Sequence, residues 1–212
     1  MLFDDTVILL FTKAPVEGTV NTRLIPDIGV QAATRLQYDL TCHRLSMLEK
    51  AKLCTVYLMC APDRKHPFFA QCEQEYSVTI FEQAGSDLGE RIINGVRLAL
   101  SRFKHCVVIG SDAPALDAAM IARAIDVLHT RKEVVFVPAE DGGYVLIGMR
   151  YPHEFLFQHI NWGSSKVMQQ SRDQLELRKV SYAELATCWD VDRLEDYQRY
   201  LLCLQDKKFD TI

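Results

Sequence analysis

The chain reads as a three-layer α/β/α sandwich on a mixed, mainly parallel sheet, and three observations lead there. Short apolar runs recur at 6–11, 53–60, 106–109 and 134–137. None alternates as a half-wetted strand would, so each fits a strand buried on both faces. Between the runs lie segments whose apolar residues fall at helical spacing, the alternation that right-handed crossovers produce. The alternation breaks once, after Pro138, where Asp141-Gly142-Gly143 leads straight into apolar residues 144–148. So short a link suits a hairpin or sharp turn and makes the sheet mixed at that end.

Taken in order, 6–11 is the first strand, followed by a polar loop carrying Pro15, Gly18 and Pro26. Ala33, Leu36, Leu40, Met47 and Leu48 set a first crossover helix over 30–51. A strand at 53–60 is ended by Ala61-Pro62-Asp63. A short helix at 68–75 and a strand at 78–81 follow, and Leu88, Ile92, Val96, Leu100 and Phe103 then form a clear helical stripe. The run at 106–109 stops at Gly110, with Ser111, Asp112 and Pro114 beyond it. Ile121, Ile125 and Leu128 mark a helix over 117–129, ahead of the strand at 134–137 and the hairpin. A loop through Trp162 precedes a helix with Ser164 or Ser165 as N-cap, then a strand at 177–180 and a helix at 194–204. There is no internal repeat and no linker-like boundary, so residues 1–212 are expected to form a single domain.

Composition narrows the function classes. A chain of 212 residues, 49% hydrophobic and 25% charged, can bury a sizeable core and is not disordered. A net charge of -4 leaves no basic footprint for nucleic acid. Seven cysteines without a CxxC pair read as buried free thiols of a reducing cytosol. The histidines form neither HxxxH nor HExxH, so no histidine-based metal site is expected. An acidic amino terminus and the lack of a membrane-length apolar run argue against membrane insertion and for the cytoplasm.

The chemistry-bearing residues fall where strands are expected to end. Asp112 follows the run at 106–109, on the edge where open α/β sheets collect ligands. Taken alone, Ser111 or Asp112 is better explained as satisfying turn backbone groups; what shifts the balance is the company these residues keep elsewhere in the chain. The loop 13–23 carries Lys13, Gly18, Thr22 and Arg23, cations and hydroxyls suited to nucleotide phosphates, although it is neither a Walker loop nor GxGxxG. A solvated surface loop is the bland alternative. Asp141 sits in an Asp-Gly turn dipeptide, but two neighbouring strands each ending in an Asp can supply oxygen ligands to Mg²⁺ or Mn²⁺. Asp192, in Asp190-Val191-Asp192, is a further metal candidate; with Glu195 it has the outline of a capping box, which accounts for it better. Glu90 and Arg91 open a helix, where the dipole alone would explain Glu90. Gly142, Gly143, Tyr144 and Trp162 are the acceptor-side candidates; a Trp in such a loop is more often an anchor.

Taken together, the stretches Phe11-Thr-Lys13-Ala-Pro15 through Thr22-Arg23-Leu24, Asp87-Leu88-Gly89-Glu90-Arg91, Ile109-Gly110-Ser111-Asp112-Ala-Pro114, Pro138-Ala-Glu-Asp141-Gly142-Gly143-Tyr144 and Asp190-Val-Asp192 resemble the DUF2064 family. That family lies in the glycosyltransferase A superfamily of nucleotide-diphospho-sugar transferases, and some members are labelled as transferases associated with radical-SAM or selenium-related gene clusters. The collinear motifs cover nearly the whole chain. The resemblance implies a Rossmann-like glycosyltransferase A fold whose first loop cradles a nucleotide diphosphate or triphosphate. It also places Asp112 at the superfamily's metal-binding motif, here Ser-Asp-Ala-Pro rather than Asp-x-Asp. Asn21 stands where the family usually has Lys, and Arg193 where Thr is commoner.

The expected activity is a metal-dependent transferase that binds a nucleotide-diphospho-sugar and moves the sugar to a small acceptor. In it Asp112 and Asp141 are catalytic, Asp112 and Asp192 hold the metal, and Lys13, Gly18, Thr22, Arg23, Glu90, Arg91 and Ser111 bind the nucleotide. One alternative is a nucleotidylyltransferase that uses a nucleoside triphosphate and releases pyrophosphate. Another, motivated by Asn21, is a nucleotide-binding protein without turnover. A phosphohydrolase with Asp112 as nucleophile fits less well, because Pro114 stands where such enzymes carry a second Asp.

Overall fold

Strand β1 (Thr6–Lys13) is buried along nearly its whole length and is an inner strand of a seven-stranded sheet. The computed structural model describes residues 1–130 and 132–209. On one side of β1 lie β2 (Thr55–Ala61) and β3 (Val78–Glu82), and on the other β4 (His105–Gly110), all parallel to it. Beyond β4 come β6 (Tyr144–Met149), β5 (Val134–Pro138) and β7 (Tyr182–Glu184), giving the order β3-β2-β1-β4-β6-β5-β7. Strand β6 is antiparallel to both of its neighbours.

The helices cover both faces. On one face α2 (Val30–Ala51), α3 (Pro67–Glu75) and α5 (Ala118–His129) contribute Leu45, Phe69 and Ile125 to a core with Ile8, Leu10 and Val107. On the other, α4 (Leu88–Leu100) and α6 (Val167–Arg178) pack Ile92, Val96 and Leu175 against Val7, Leu9 and Val108. Alternate residues of each central strand thus serve opposite layers, which is why these strands read as unbroken apolar runs. A third cluster seats α7 (Leu194–Phe209) on α2 through Tyr200, Trp189, Leu36 and Leu40.

Several local expectations change. The two Asp-ending strands β4 and β5 are not neighbours, because the tight turn after β5 brings β6 back between them. Gly148 keeps β6 flat beneath α5: a Cβ there would lie 2.8 Å from a methyl of Val135 and 3.0 Å from one of Leu128, so these side chains would have to shift. The last strand is Tyr182–Glu184 rather than 177–180, because α6 continues to Arg178 and ends at Lys179 in the left-handed region. Neither Ser164 nor Ser165 caps α6; its N-cap is Lys166 with no side-chain bond, and Ser164 Oγ instead donates to Asn161 O. The loop expected between β1 and α2 contains a four-residue helix, α1 (Ile25–Ile28). All seven cysteines are free, but Cys203 is exposed and Cys42 only half-buried. Burial pushes the thiols of Cys54 and Cys72 up to about 12, so these are inert packing groups. Among the described residues no helix is long and apolar enough to cross a membrane.

Arg44, on α2, is 1% exposed and donates from its two terminal nitrogens to the carbonyls of Leu116 and Ala113, in the segment that leaves β4. Burial lowers its pKa to about 10, with Asp112, Cys188 and Asp117 opposing the drop, so it stays charged at neutral pH. Ala113 and Leu116 are themselves buried, and without Arg44 their carbonyls lose a donor that water cannot readily replace. Arg44→Met is expected to cost about 3 kcal/mol, read as a fall in the urea midpoint. An unchanged midpoint would mean that this segment holds its shape unaided.

Candidate functional site

A cleft of about 380 Å³ opens at the carboxyl ends of β1 and β4, lined by residues from Phe11 to Asp190. Its floor is a buried hydroxyl-amide network. Thr12 Oγ1 lies 2.9 Å from Thr41 Oγ1 and 3.3 Å from Ser111 Oγ, and Gln37 Nε2 donates to Thr12 Oγ1 at 3.0 Å. This network ties α2 to the ends of β1 and β4, so the backbone carrying Lys13 and Ser111 is fixed from below. Gln83 adds a side-wall contact, donating to the carbonyls of Met59 and Thr12.

Three carboxylates converge on this cleft: Asp112, Asp141 and Asp190. Asp112 leaves β4 immediately after Gly110, and its carboxylate folds back over that glycine. A Cβ at position 110 would stand 2.4 Å from Asp112 Oδ1, so the approach requires glycine. Asp141 sits in the β5–β6 turn, where Oδ1 accepts from the Gly143 amide at 2.8 Å. Because β6 is antiparallel, this turn falls at the same sheet edge as the end of β4, and Asp141 reaches the cleft although β5 does not touch β4. Gly142, at φ 91°, makes the turn possible, and its carbonyl accepts from the Met168 amide at the start of α6.

Asp190 arrives from the far end of the chain. The Cys188 amide donates to Pro138 O, the Glu140 amide to Cys188 O and the Val191 amide to Asp112 O. The segment is thereby laced between the β5–β6 turn and the backbone of Asp112 itself. Asp190 stands beside the metal candidate Asp192 in sequence but carries no motif of its own; its only signal is its place between the apolar Trp189 and Val191, both buried here.

Asp112 and Asp190 resist ionisation. Desolvation raises Asp112 above the usual carboxylate range, Arg44 opposes that, and Asp192 and Asp141 add to it. Asp112 is open to the cleft yet walled by protein, so water reaches it without solvating it fully. Asp190 is pushed up to about 7, first by burial and then by Asp112 and Asp141. Among the described residues that line the cleft, Lys13 is the one cation. A pocket of mutually repelling oxygen donors with so little positive charge suits a hard divalent cation.

Of the residues expected from sequence, the cleft gathers Lys13, Ser111, Asp112, Asp141, Gly143, Tyr144 and Trp162. Trp162 stacks on Phe157 at 6.5 Å and meets the Tyr144 ring edge-on at 6.4 Å, making one apolar wall. Gly18, Thr22, Arg23, Glu90, Arg91, Gly142 and Asp192 lie outside the lining. Arg23 stands at the rim beside Gly163 and is paired with Asp192. Glu90 accepts from the amide and hydroxyl of Ser86, and Arg91 Nε donates to Gly85 O. The carboxylate that caps α7 is Asp196, not the expected Glu195, accepting from the Asp192 and Arg193 amides. Asn21, where the family resemblance expects Lys, has φ 47°, and its amide donates to Ala33 O, a turn role that asparagine tolerates well.

Because Asp190 holds its proton more tightly folded than unfolded, it favours the native state at low pH and disfavours it as pH rises through about 7. Asp190→Asn is therefore expected to raise the melting temperature of the metal-free protein at pH 8, the gain shrinking as pH falls and vanishing near pH 4. A loss of stability at pH 8 would make Asp190 a structural turn residue.

A search among curated proteins finds no match. Among solved structures, a provisionally assigned nucleotide-diphospho-sugar transferase from Desulfovibrio desulfuricans G20 is 27% identical, with 90% of this chain and 84% of that chain covered and a TM-score of 0.81. CMP:2-keto-3-deoxy-manno-octonic acid synthetase complexed with CTP is similar at 10% identity, with 96% and 100% covered and a TM-score of 0.59. Rv0371c from Mycobacterium tuberculosis H37Rv, in complex with manganese, is similar at 15% identity, with 93% and 97% covered and a TM-score of 0.54. At those identities the last two share the fold alone, a Rossmann-like α/β/α sandwich of the glycosyltransferase A kind. The family model described as "uncharacterized protein conserved in bacteria (DUF2064)" matches residues 44–164, more than half of the sequence, and the chain belongs to that family.

Proposed function

We propose that the protein is a metal-dependent transferase that binds a nucleotide-diphospho-sugar and passes the sugar to a small acceptor. The observation that carries this reading is the convergence of Asp112, Asp141 and Asp190 with Lys13 at the carboxyl ends of β1 and β4. The 27% identity to a provisionally assigned nucleotide-diphospho-sugar transferase supports it.

In this reading Asp112 and Asp190 hold Mg²⁺ or Mn²⁺, and the raised pKa of each records how poorly two carboxylates tolerate that site without a counter-charge. Bound there, the cation would neutralise the diphosphate as it leaves. Lys13 binds a phosphate oxygen from the end of β1, and Ser111 keeps the floor rigid through Thr12 and Gln37. Asp141, with one oxygen committed to the Gly143 amide, orients the acceptor with the other. Gly142, Gly143, Tyr144 and Trp162 shape the acceptor side. Arg23, paired with Asp192 at the rim beside Gly163, offers a second cation to the phosphates, while Gly18 and Thr22 shape the loop between Lys13 and Arg23. Glu90 and Arg91 fix the loop before α4 rather than touching the nucleotide. Catalysis rests on positioning and on charge already in place before the bond breaks.

One observation favours a second reading: the fold match to a synthetase complexed with CTP runs across nearly the whole of both chains. In that case the substrate is a nucleoside triphosphate, the acceptor attacks its α-phosphorus, and pyrophosphate leaves.

A thermal-shift screen of nucleoside triphosphates, diphosphates and nucleotide sugars, each with and without Mn²⁺ or Mg²⁺, comes first, followed by product analysis with the best binder. Release of a nucleoside diphosphate supports sugar transfer, and release of pyrophosphate supports nucleotidyl transfer. Absence of any metal-dependent shift would sink both and leave a nucleotide-binding relic or a different ligand. Asp112→Asn is expected to abolish the metal-dependent shift without lowering the melting temperature of the metal-free protein. Lys13→Ala is expected to weaken nucleotide binding about tenfold, the scale of one charge-assisted hydrogen bond.

A further inference from the structure

At the opposite edge of the sheet, three residues far apart in sequence meet. Asp5 precedes β1, His105 opens β4, and His129 ends α5. Asp5 Oδ1 lies 3.5 Å from His105 Nδ1 and 3.3 Å from His129 Nε2, and the three ligating atoms all fall within 4.8 Å of one another. The two imidazoles lie 4.4 Å apart, centroid to centroid. The absence of HxxxH from the sequence argued against a histidine site, but here β-sheet register and helix packing, rather than one helical turn, bring the two imidazoles together.

We propose that Asp5, His105 and His129 form a binding site for one divalent transition ion of the zinc type. Nitrogen and oxygen ligands at 2.0–2.1 Å around a tetrahedral centre stand about 3.3 Å from one another, close to the two Asp5–His separations seen here. The 3.5 Å from His105 Nδ1 to Asp5 Oδ1 is long for a hydrogen bond, and Oδ1 also accepts from Thr6 Oγ1, so Nδ1 is left without a well-formed partner in a residue only 5% exposed. A buried polar atom normally has a partner, and a shared cation supplies one. The backbone of Asp5 is already fixed, since its carbonyl accepts from the Lys104 and His105 amides. The two imidazoles and one carboxylate suit Zn²⁺, Co²⁺, Ni²⁺ or Cu²⁺ rather than Mg²⁺. His129 is about one-third exposed, which leaves an open side for entry and for a water in the fourth position. Lys104, 3.4 Å from Asp5 Oδ2, and Arg150, which acts on His105, set a positive background that weakens the site.

The site is separate from the cleft, because β4 runs between them and its six residues span about 20 Å. Its occupant would join the chain ahead of β1 to β4 and α5, a staple on the fold rather than part of the transfer chemistry. This inference does not depend on the proposed activity.

The test uses the full chain carrying Asp112→Asn and Asp190→Asn to silence the cleft and Cys203→Ser to remove the exposed thiol. This background is expected to take up one Zn²⁺ per chain in competition with a chromogenic chelator, to show the intense visible absorption of low-coordinate Co²⁺, and to melt higher with Zn²⁺. Adding His129→Ala, a change at an exposed position, is expected to weaken Zn²⁺ binding at least tenfold and to erase the Co²⁺ bands. If the background takes up no Zn²⁺, or binds it equally well after His129→Ala, the proposal is wrong. His129→Ala in the otherwise wild-type chain should leave any metal-dependent nucleotide shift in place, so failure here and failure of the transferase reading give different results.

Discussion

Arg44 is a cation buried between α2 and the segment that leaves β4, and its guanidinium is spent on two backbone carbonyls rather than on a carboxylate. That choice organises the site. The carbonyls of Ala113 and Leu116 are drawn down towards α2, so the chain turns sharply after Asp112. The carboxylate of Asp112 is left at the cleft with the positive charge of Arg44 behind it. The charge is close enough to moderate the desolvation of Asp112 but is not bonded to it, so the guanidinium leaves the carboxylate free to face the cleft. A direct Arg-Asp pair would hold Asp112 ionised and occupied.

Around that turn, stability and chemistry pull in opposite directions. Burial raises Asp112 and Asp190, neighbouring carboxylates add to the rise, and Lys13 is the one cation among the described residues that line the cleft. A fold optimised for stability alone would not assemble them. They persist because strong neutral interactions fix the backbone beneath: the Thr12–Gln37–Thr41–Ser111 network, and the bond from the Val191 amide to Asp112 O. Rigid support under destabilised groups is the usual physical mark of a binding or catalytic site.

Much of this was legible in the sequence, for definite reasons. The central strands are buried on both faces, so β1, β2, β4 and β5 announce themselves as apolar runs, and the helical spacing of Ala33, Leu36, Leu40, Met47 and Leu48 marks out α2. Asp112 was found because strand ends in parallel sheets are where ligands gather. What pattern could not give was adjacency. Nothing in the spacing says that β6 inserts between β4 and β5, that Asp196 rather than Glu195 caps α7, or that Asp190 rather than Asp192 faces the cleft. The pairing of Arg23 with Asp192 joins residues 169 positions apart, and the meeting of His105 with His129 depends on where a helix ends relative to a strand. Those are properties of the packed object, and short-range pattern is blind to them.

The lacing of residues 188–191 between the β5–β6 turn and Asp112 makes the site a product of the whole chain. Lys13 emerges first during synthesis, Asp112 near the midpoint, and Asp190 only after all seven strands have been made. A nascent chain can therefore lay down the sheet and close the core under α4 and α6 while the opposite core still lacks Cys188 and the cleft still lacks one wall. Capacity to hold a ligand comes last, with the segment ahead of α7, so a molecule cleaved in the loop after β7 would keep its sheet and lose its site.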